Sequence, residues 1–276
     1  MIPVAFDYER AGSADEALAL LAEHGDEAKL LAGGHSLLPI MKLRLAYPSV
    51  LVDIGRLTDL SYVKDAGDHL AIGALTRHRD VEISDLVLQH APLLAHATSH
   101  VGDPQVRHRG TLGGSLAHAD ASGDHPSALL ALGGSVVARS QSGGERVIDA
   151  GDLFAGFLES SLDPTEMITE IRIPKQAGAG WGFEKFNRRA QDWAIVGVSA
   201  QRTDDGAKVA LVSMHPTPIR ATAVETALAG GATAAEAAEL AAEGLEPSPD
   251  LNASVEYRQH LARVLTRRAL TTAGIA

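Results

Sequence analysis

The sequence predicts an α+β protein in two domains, on three observations. An alternation of strand, glycine pair and helix fills the N-terminal stretch up to Ile54, and hairpin-like segments follow from Leu60. The small, flexible run Lys175-Gln176-Ala177-Gly178-Ala179-Gly180 then precedes three strand-like runs and a set of Ala-rich helices. The domains are accordingly expected over 1–176 and 177–276.

Each element has a local reason. Ser13-Ala14-Asp15-Glu16 is a capping-box signature that opens a helix running to His24, where Gly25 stops it. Lys29 to Ala32 is a short apolar strand ending at Gly33-Gly34, and Ser36 to Arg44 reads as a helix with Pro39 in its first turn. Val50 to Ile54 is a further strand and closes a small βαβ-like unit. Tyr62 to Lys64 and His69 to Gly73 form a hairpin across Asp65 to Asp68, in a sheet expected to be antiparallel or mixed.

Leu86 to Val101 has a helical pattern, Gly102 to Gly110 reads as a polar loop, and Thr111 to Ser115 is a second glycine-rich turn. A short helix is expected over Pro126 to Leu132, then a hairpin of Val136 to Ala138 with Arg146 to Ile148, then a strand from Met167 to Ile173. Beyond the linker come strands over Trp181 to Asn187, Ala194 to Arg202 and Ala207 to Met214, then helices over Ile219 to Leu228, Ala234 to Glu243 and Val255 to Thr272.

Composition removes several function classes. A formal net charge of −11 argues against a surface that neutralises nucleic-acid phosphates or anionic lipid, so no nucleic-acid partner is expected. The absence of cysteine excludes disulfides, thiolate catalysis and iron-sulfur clusters held by this chain. The N-terminus has no basic region followed by an apolar stretch, and no apolar run is long enough for membrane insertion, which predicts a cytoplasmic protein.

The two glycine pairs suggest an anion site. A diphosphate needs close backbone approach and several N–H donors, and glycine permits both. Ala32-Gly33-Gly34-His35-Ser36 lies between a strand and a helix start, where unpaired N–H groups favour an anion. Thr111-Leu112-Gly113-Gly114-Ser115 is the second pair, and each turn ends in a hydroxyl residue that could cap a backbone donor or bond a phosphate. Neither matches the Rossmann fingerprint or the P-loop. Asp120 and Asp124 follow closely and could accept from ribose hydroxyls, with helix capping the competing role for Asp124. His96 and His100 lie four apart but lack the Glu of a zinc-protease motif, so they read as helix-surface histidines. Arg107, His108 and Arg109 form a basic cluster suited to phosphate, a partner chain or solvent.

These segments together resemble the FAD-binding subunit of the carbon monoxide dehydrogenase and xanthine dehydrogenase family. The resemblance rests on AGGHSLLPIMKLR at 32–44, GDPQVRHRGTLGGS at 102–115 and His118-Ala119-Asp120. It continues through LDPTEMI at 162–168, Ile173-Pro174, FEKFNRR at 183–189 and DWAIV at 192–196.

The resemblance implies a two-part FAD-binding domain followed by a small antiparallel three-stranded sheet with helices. It implies that Ala32, Gly33, Gly34, His35, Ser36 and Leu37, with Thr111, Leu112, Gly113, Gly114 and Ser115, wrap the FAD diphosphate. Asp124 would hold the adenosine side, Ile168 and Lys185 would lie near the flavin, and Trp193 would stack on or gate the ring. Lys185 would favour the anionic reduced flavin. His35, His108 and Ala121 depart from the residues usual in the family, which leaves the glycine argument intact.

The implied function is electron transfer in a molybdenum hydroxylase. Electrons would arrive from an iron-sulfur small subunit, substrate would be oxidised on a molybdenum-cofactor large subunit, and an external electron acceptor would take the electrons on. No catalytic side chain or metal ligand is expected in this chain. A self-contained flavoenzyme of related fold and a non-catalytic interaction subunit are the alternatives.

Overall fold

The computed structural model describes residues 1–176 and 178–276; Ala177, inside the expected linker, lies outside them. The N-terminal unit is a three-stranded parallel sheet in the order Asp7–Arg10, Val50–Asp53, Ala28–Leu31. Helix Ala14–His24 covers it, burying Ala14, Ala17, Leu18 and Leu21 at helical spacing. Ser13 caps that helix by accepting from the Glu16 N–H at 3.1 Å, while the Glu16 carboxylate accepts from Gly12 rather than from Ser13. Strand Asp7–Arg10 was not among the expected elements. Its residues DYER are mostly exposed, so no alternation marks it.

The second unit is a five-stranded sheet in the order Val63–Asp65, His69–Gly73, Glu166–Pro174, Ser135–Ser140, Gly144–Asp149. Every pairing in it is antiparallel, so the sheet is not mixed. Helices cover its buried face. The helix expected over 86–101 is broken into Asp85–His90 and Pro92–Ser99, because Pro92 drives Ala91 out of the helical region to φ −145° and ψ 55°. The expected loop at 102–110 contains a helix, Pro104–Arg109, with Pro104 in its first turn and Asp103 accepting from Val106 N–H at 2.9 Å. A further short helix, His78–Ile83, precedes these.

The C-terminal unit is antiparallel, in the order Trp181–Phe186, Val196–Thr203, Gly206–Val212, Ile219–Arg220. The two-residue fourth strand takes the start of the expected helix at 219, which begins instead at Thr222 and runs to Ala229. Helix Val255–Thr272 packs Leu261, Ala262, Leu265, Ala269 and Leu270 onto the sheet.

Helix Asp124–Leu132 joins the two larger units. All its residues are buried, because it lies between helix Pro92–Ser99 on one side and strands Val196–Thr203 and Gly206–Val212 on the other. The Ser127 and Ser199 hydroxyls bond across that contact at 2.9 Å. Among the described residues, no helix is long and apolar enough to cross a membrane.

Candidate cofactor site

The two glycine segments meet. A Cβ built on Gly33 would overlap the Arg109 carbonyl oxygen and approach the Gly110 Cα to 2.8 Å, so this backbone passes closer than any side chain permits. A Cβ on Gly114 would lie 3.9 Å from the Ala32 Cβ. Arg77 stitches the junction, donating to the Arg109 carbonyl and to the Gly55 carbonyl at 3.3 Å. Burial, with the Arg109 charge nearby, pulls the Arg77 guanidinium below its ordinary range.

The segments differ in what they offer. Among the described residues, the N–H groups of Gly33, Gly34, His35, Ser36 and Leu37 donate to no protein acceptor. Gly34 takes φ +76°, a left-handed conformation that turns the chain between strand Ala28–Leu31 and helix Leu37–Lys42. The segment at 111–115 is the start of helix Leu112–His118, not a free turn. Leu112 N–H donates to Thr76 at 3.0 Å, Gly113 to Ala74 at 2.9 Å, Gly114 to the Thr111 hydroxyl at 3.2 Å and Ser115 to the Thr111 carbonyl at 3.0 Å. Those four donors are already used. Gly113 is a glycine for packing, since its Cβ would sit 2.6 Å from the Ala74 Cβ.

A buried polar layer underlies the second segment. His125 bonds Ser115 Oγ at 3.0 Å through Nδ1 and Thr98 Oγ1 at 3.1 Å through Nε2. The Thr98 hydroxyl donates to the Leu94 carbonyl at 2.7 Å, so it accepts from His125 Nε2–H. His125 Nδ1 must then accept, which turns the Ser115 proton inward and leaves that oxygen only as an acceptor. Burial pushes the His125 ring down to about 3, so it is neutral. His78 stacks on it with ring centroids 4.4 Å apart and is likewise held neutral by burial.

Asp124 and Lys185 pair with each other at 2.7 Å, with side chains 8% and 6% exposed, and Lys185 also donates to the His100 carbonyl. Lys185 therefore presents no unpaired cation. Burial pushes the Asp124 carboxyl up to about 6 although the ammonium beside it pulls the other way. Ile168 lies in the core under helix Leu112–His118. Trp193 is 69% exposed, on the loop between strands Trp181–Phe186 and Val196–Thr203, and its indole N–H donates to Asp120 at 2.9 Å. His96 and His100 are not free on a helix surface. They pack on Trp181 and Phe183 of the C-terminal unit at ring separations of 5.1 to 5.6 Å.

The structure thus gathers 32–37 with 111–115, and it links Ser115, Asp124 and Lys185 through the buried layer around His125. Ile168 lies beneath helix Leu112–His118, and Trp193 reaches the first unit at Asp120. Sequence reading missed Arg77, His78 and His125. Only the direct neighbourhood of His125 to Asp124 could have drawn notice.

The donor set fits a dinucleotide: among the described residues, the amides of 33–37 have no protein acceptor and stand where two backbones touch. A family model described as the FAD binding domain in molybdopterin dehydrogenase matches residues 4–176, and one described as the CO dehydrogenase flavoprotein C-terminal domain matches 181–273. The carbon monoxide dehydrogenase medium chain of Hydrogenophaga pseudoflava is 39% identical over an alignment that covers 99% of this chain and 98% of the relative. The solved carbon monoxide dehydrogenase from that organism, lacking the Mo-pyranopterin moiety, superposes with a TM-score of 0.95 over 99% of both chains. Quinoline 2-oxidoreductase from Pseudomonas putida 86, at 34% identity, gives 0.92 over 99% of both. The chain belongs to the family of FAD-binding medium subunits of carbon monoxide dehydrogenase and xanthine dehydrogenase type molybdenum hydroxylases, and is an oxidoreductase subunit with FAD as its cofactor.

Proposed function

We propose that the chain is the electron-transfer subunit of a three-part molybdenum hydroxylase. It receives electrons from iron-sulfur clusters on a small subunit and passes them to an external acceptor, while a large subunit oxidises substrate at its molybdenum cofactor. Residues 1–176 would form the FAD-binding domain and 177–276 a C-terminal domain that closes over it. The single observation that carries this reading is the run of acceptor-free amides at Gly33 to Leu37, pressed against the segment that leads into Gly113-Gly114. With no cysteine, the chain depends on a partner for cluster electrons.

When bound, FAD supplies the redox chemistry. The protein's residues hold and orient it. The amides of 33–37 and the Ser36 hydroxyl would take the diphosphate, with the Thr111-capped helix start packed beside them. Asp120, the less buried of the two aspartates, would serve a ribose hydroxyl or the rim, whereas Asp124 is buried against Lys185. The Asp124–Lys185 pair and His125 would brace the site from beneath. Trp193 would cover the ring edge.

The test is purification of the chain with whatever accompanies it. A flavin absorption spectrum, stoichiometric FAD on release, and two co-purifying subunits, one cysteine-rich, are expected. A colourless chain that copurifies alone and takes up no added FAD would overturn the reading.

A further inference from the structure

Ser213 occupies an unusual place. It directly follows strand Gly206–Val212 and has φ +61°, a left-handed conformation that is strained for a non-glycine residue. Glycine would meet the backbone requirement without that strain, so the side chain is the feature to explain. Its hydroxyl donates to the Ala194 carbonyl at 2.8 Å and accepts from the Ser122 hydroxyl at 2.8 Å. Its N–H donates to the Ala121 carbonyl at 2.8 Å, and its carbonyl faces the Arg258 guanidinium at 3.5 Å. Arg258 is buried, also donates to the Ile195 carbonyl, and pairs with Asp250 at 2.8 Å.

These bonds close a ring across the two domains. The Asp120 carboxylate accepts from Ser122 N–H on one oxygen at 2.9 Å and from the Trp193 indole on the other at 2.9 Å. The Ser122 hydroxyl reaches Ser213, Ser213 reaches Ala194, and Ala194 is the next residue after Trp193. The Trp193 loop is otherwise largely exposed, and its other side-chain hydrogen bonds, from Asn187 to the Arg189 carbonyl at 2.8 Å and from Arg189 to Asp192 at 3.1 Å, stay within the loop.

We propose that Ser213 is a positioning residue, locking the Trp193 loop of the second domain to the Asp120 loop of the first so that the two walls of the cofactor rim move as one body. This rests on the reading that Asp120 and Trp193 flank bound FAD. Arg258 sets the Ser213 carbonyl and the Ile195 carbonyl in fixed relation, and the hydroxyl then fixes the distance between the loops. An electron acceptor approaching the rim meets a formed surface instead of a mobile tryptophan.

Two measurements test it. In the isolated chain carrying Trp181→Phe, time-resolved anisotropy reads Trp193 alone. Ser213→Ala should add a fast decay component, and Ser122→Ala, whose backbone is ordinary, should add the same one. In the complete complex, reduced with dithionite and freed of it, flavin reoxidation by menadione is followed by stopped flow. Ser213→Ala should raise the half-saturating menadione concentration about fivefold, the loss of one hydrogen bond, while the limiting rate changes less than about twofold. Ser213→Gly, with its backbone relieved, should show both effects. Rescue of both effects by Ser213→Gly would make backbone strain the cause and overturn the proposal. Unchanged anisotropy and unchanged menadione dependence in Ser213→Ala and Ser122→Ala would overturn it too. Failure of the wild-type complex to hold flavin would instead sink the function proposed above, and the anisotropy result would still decide the role of Ser213.

Discussion

Lys185 Nζ sits 2.7 Å from the Asp124 carboxylate, and the two residues come from different domains with almost no solvent at either side chain. Replacing Lys185 by Met removes the ammonium but leaves a buried carboxylate. At pH 8 we expect a loss of about 3 kcal/mol, the range seen when one partner of a buried pair is deleted. The pH dependence has an unusual sign. Asp124 has its folded value raised from 3.8 to about 6, so between those values the folded chain holds more protons than the unfolded one. Its contribution is favourable at low pH and is lost as pH rises through about 6. Without Lys185 the folded value climbs further. The Lys185→Met deficit, measured by urea denaturation, should therefore be small at pH 5 and grow toward pH 8; a deficit independent of pH would contradict this account.

His125 acts in the opposite direction. Its folded value is pushed to about 3 from 6.5, so in that window the unfolded state takes the proton and stability falls as the medium becomes acid. His125→Asn, which keeps a donor and an acceptor near Ser115 and Thr98, should flatten the acid limb of the Tm profile between pH 6.5 and 4. An unaltered acid limb would show that another group is responsible.

The two glycine segments should respond differently to an added side chain. Gly33→Ala forces a methyl into the Arg109 carbonyl and Gly110 Cα, parting the two backbones at a cost of about 1–3 kcal/mol, with FAD lost as a consequence. A Cβ at Gly114, an exposed position, crowds the Thr111 hydroxyl at 2.7 Å and otherwise only approaches the Ala32 Cβ at 3.9 Å. Gly114→Val should fold with a small drop in Tm yet fail to retain FAD. Thermal melts alongside flavin release separate the two, and retained flavin in Gly114→Val would refute the assigned site.

Thr111 caps helix Leu112–His118 by accepting from Gly114 N–H. Thr111→Val keeps the shape and removes the acceptor, which should cost about 1 kcal/mol of stability. It also frees the Gly114 N–H beside the proposed diphosphate. Thr111→Ser should restore stability, and equal melts for Val and Thr would exclude the capping role.

Much of the fold was legible because its signals are local. Ser13 with Glu16, the Gly33-Gly34 break, the alternation at 69–73 and the run at 207–212 each specify an element from neighbouring residues alone. Errors arose where a local signal was read incompletely. Pro92 split an expected helix, and Asp103-Pro104 opened a helix inside an expected loop. Strand Asp7–Arg10 left no pattern because its side chains face solvent, and its place comes from pairing with Val50–Asp53.

By itself, the sequence determined that two glycine-bearing segments exist, that the chain holds no cysteine, and that a run of small residues occupies 177–180. Those properties follow from backbone permissiveness and periodicity, which act over a few residues. Only the tertiary structure decided that 33–37 keep free amides while 112–115 spend theirs, that Asp124 answers Lys185, and that Asp120 answers Trp193. Each of those outcomes depends on where helix Asp124–Leu132 and helix Leu112–His118 dock and on the register of strands in another domain. Burial and long-range packing set those, and no spacing along the chain carries them.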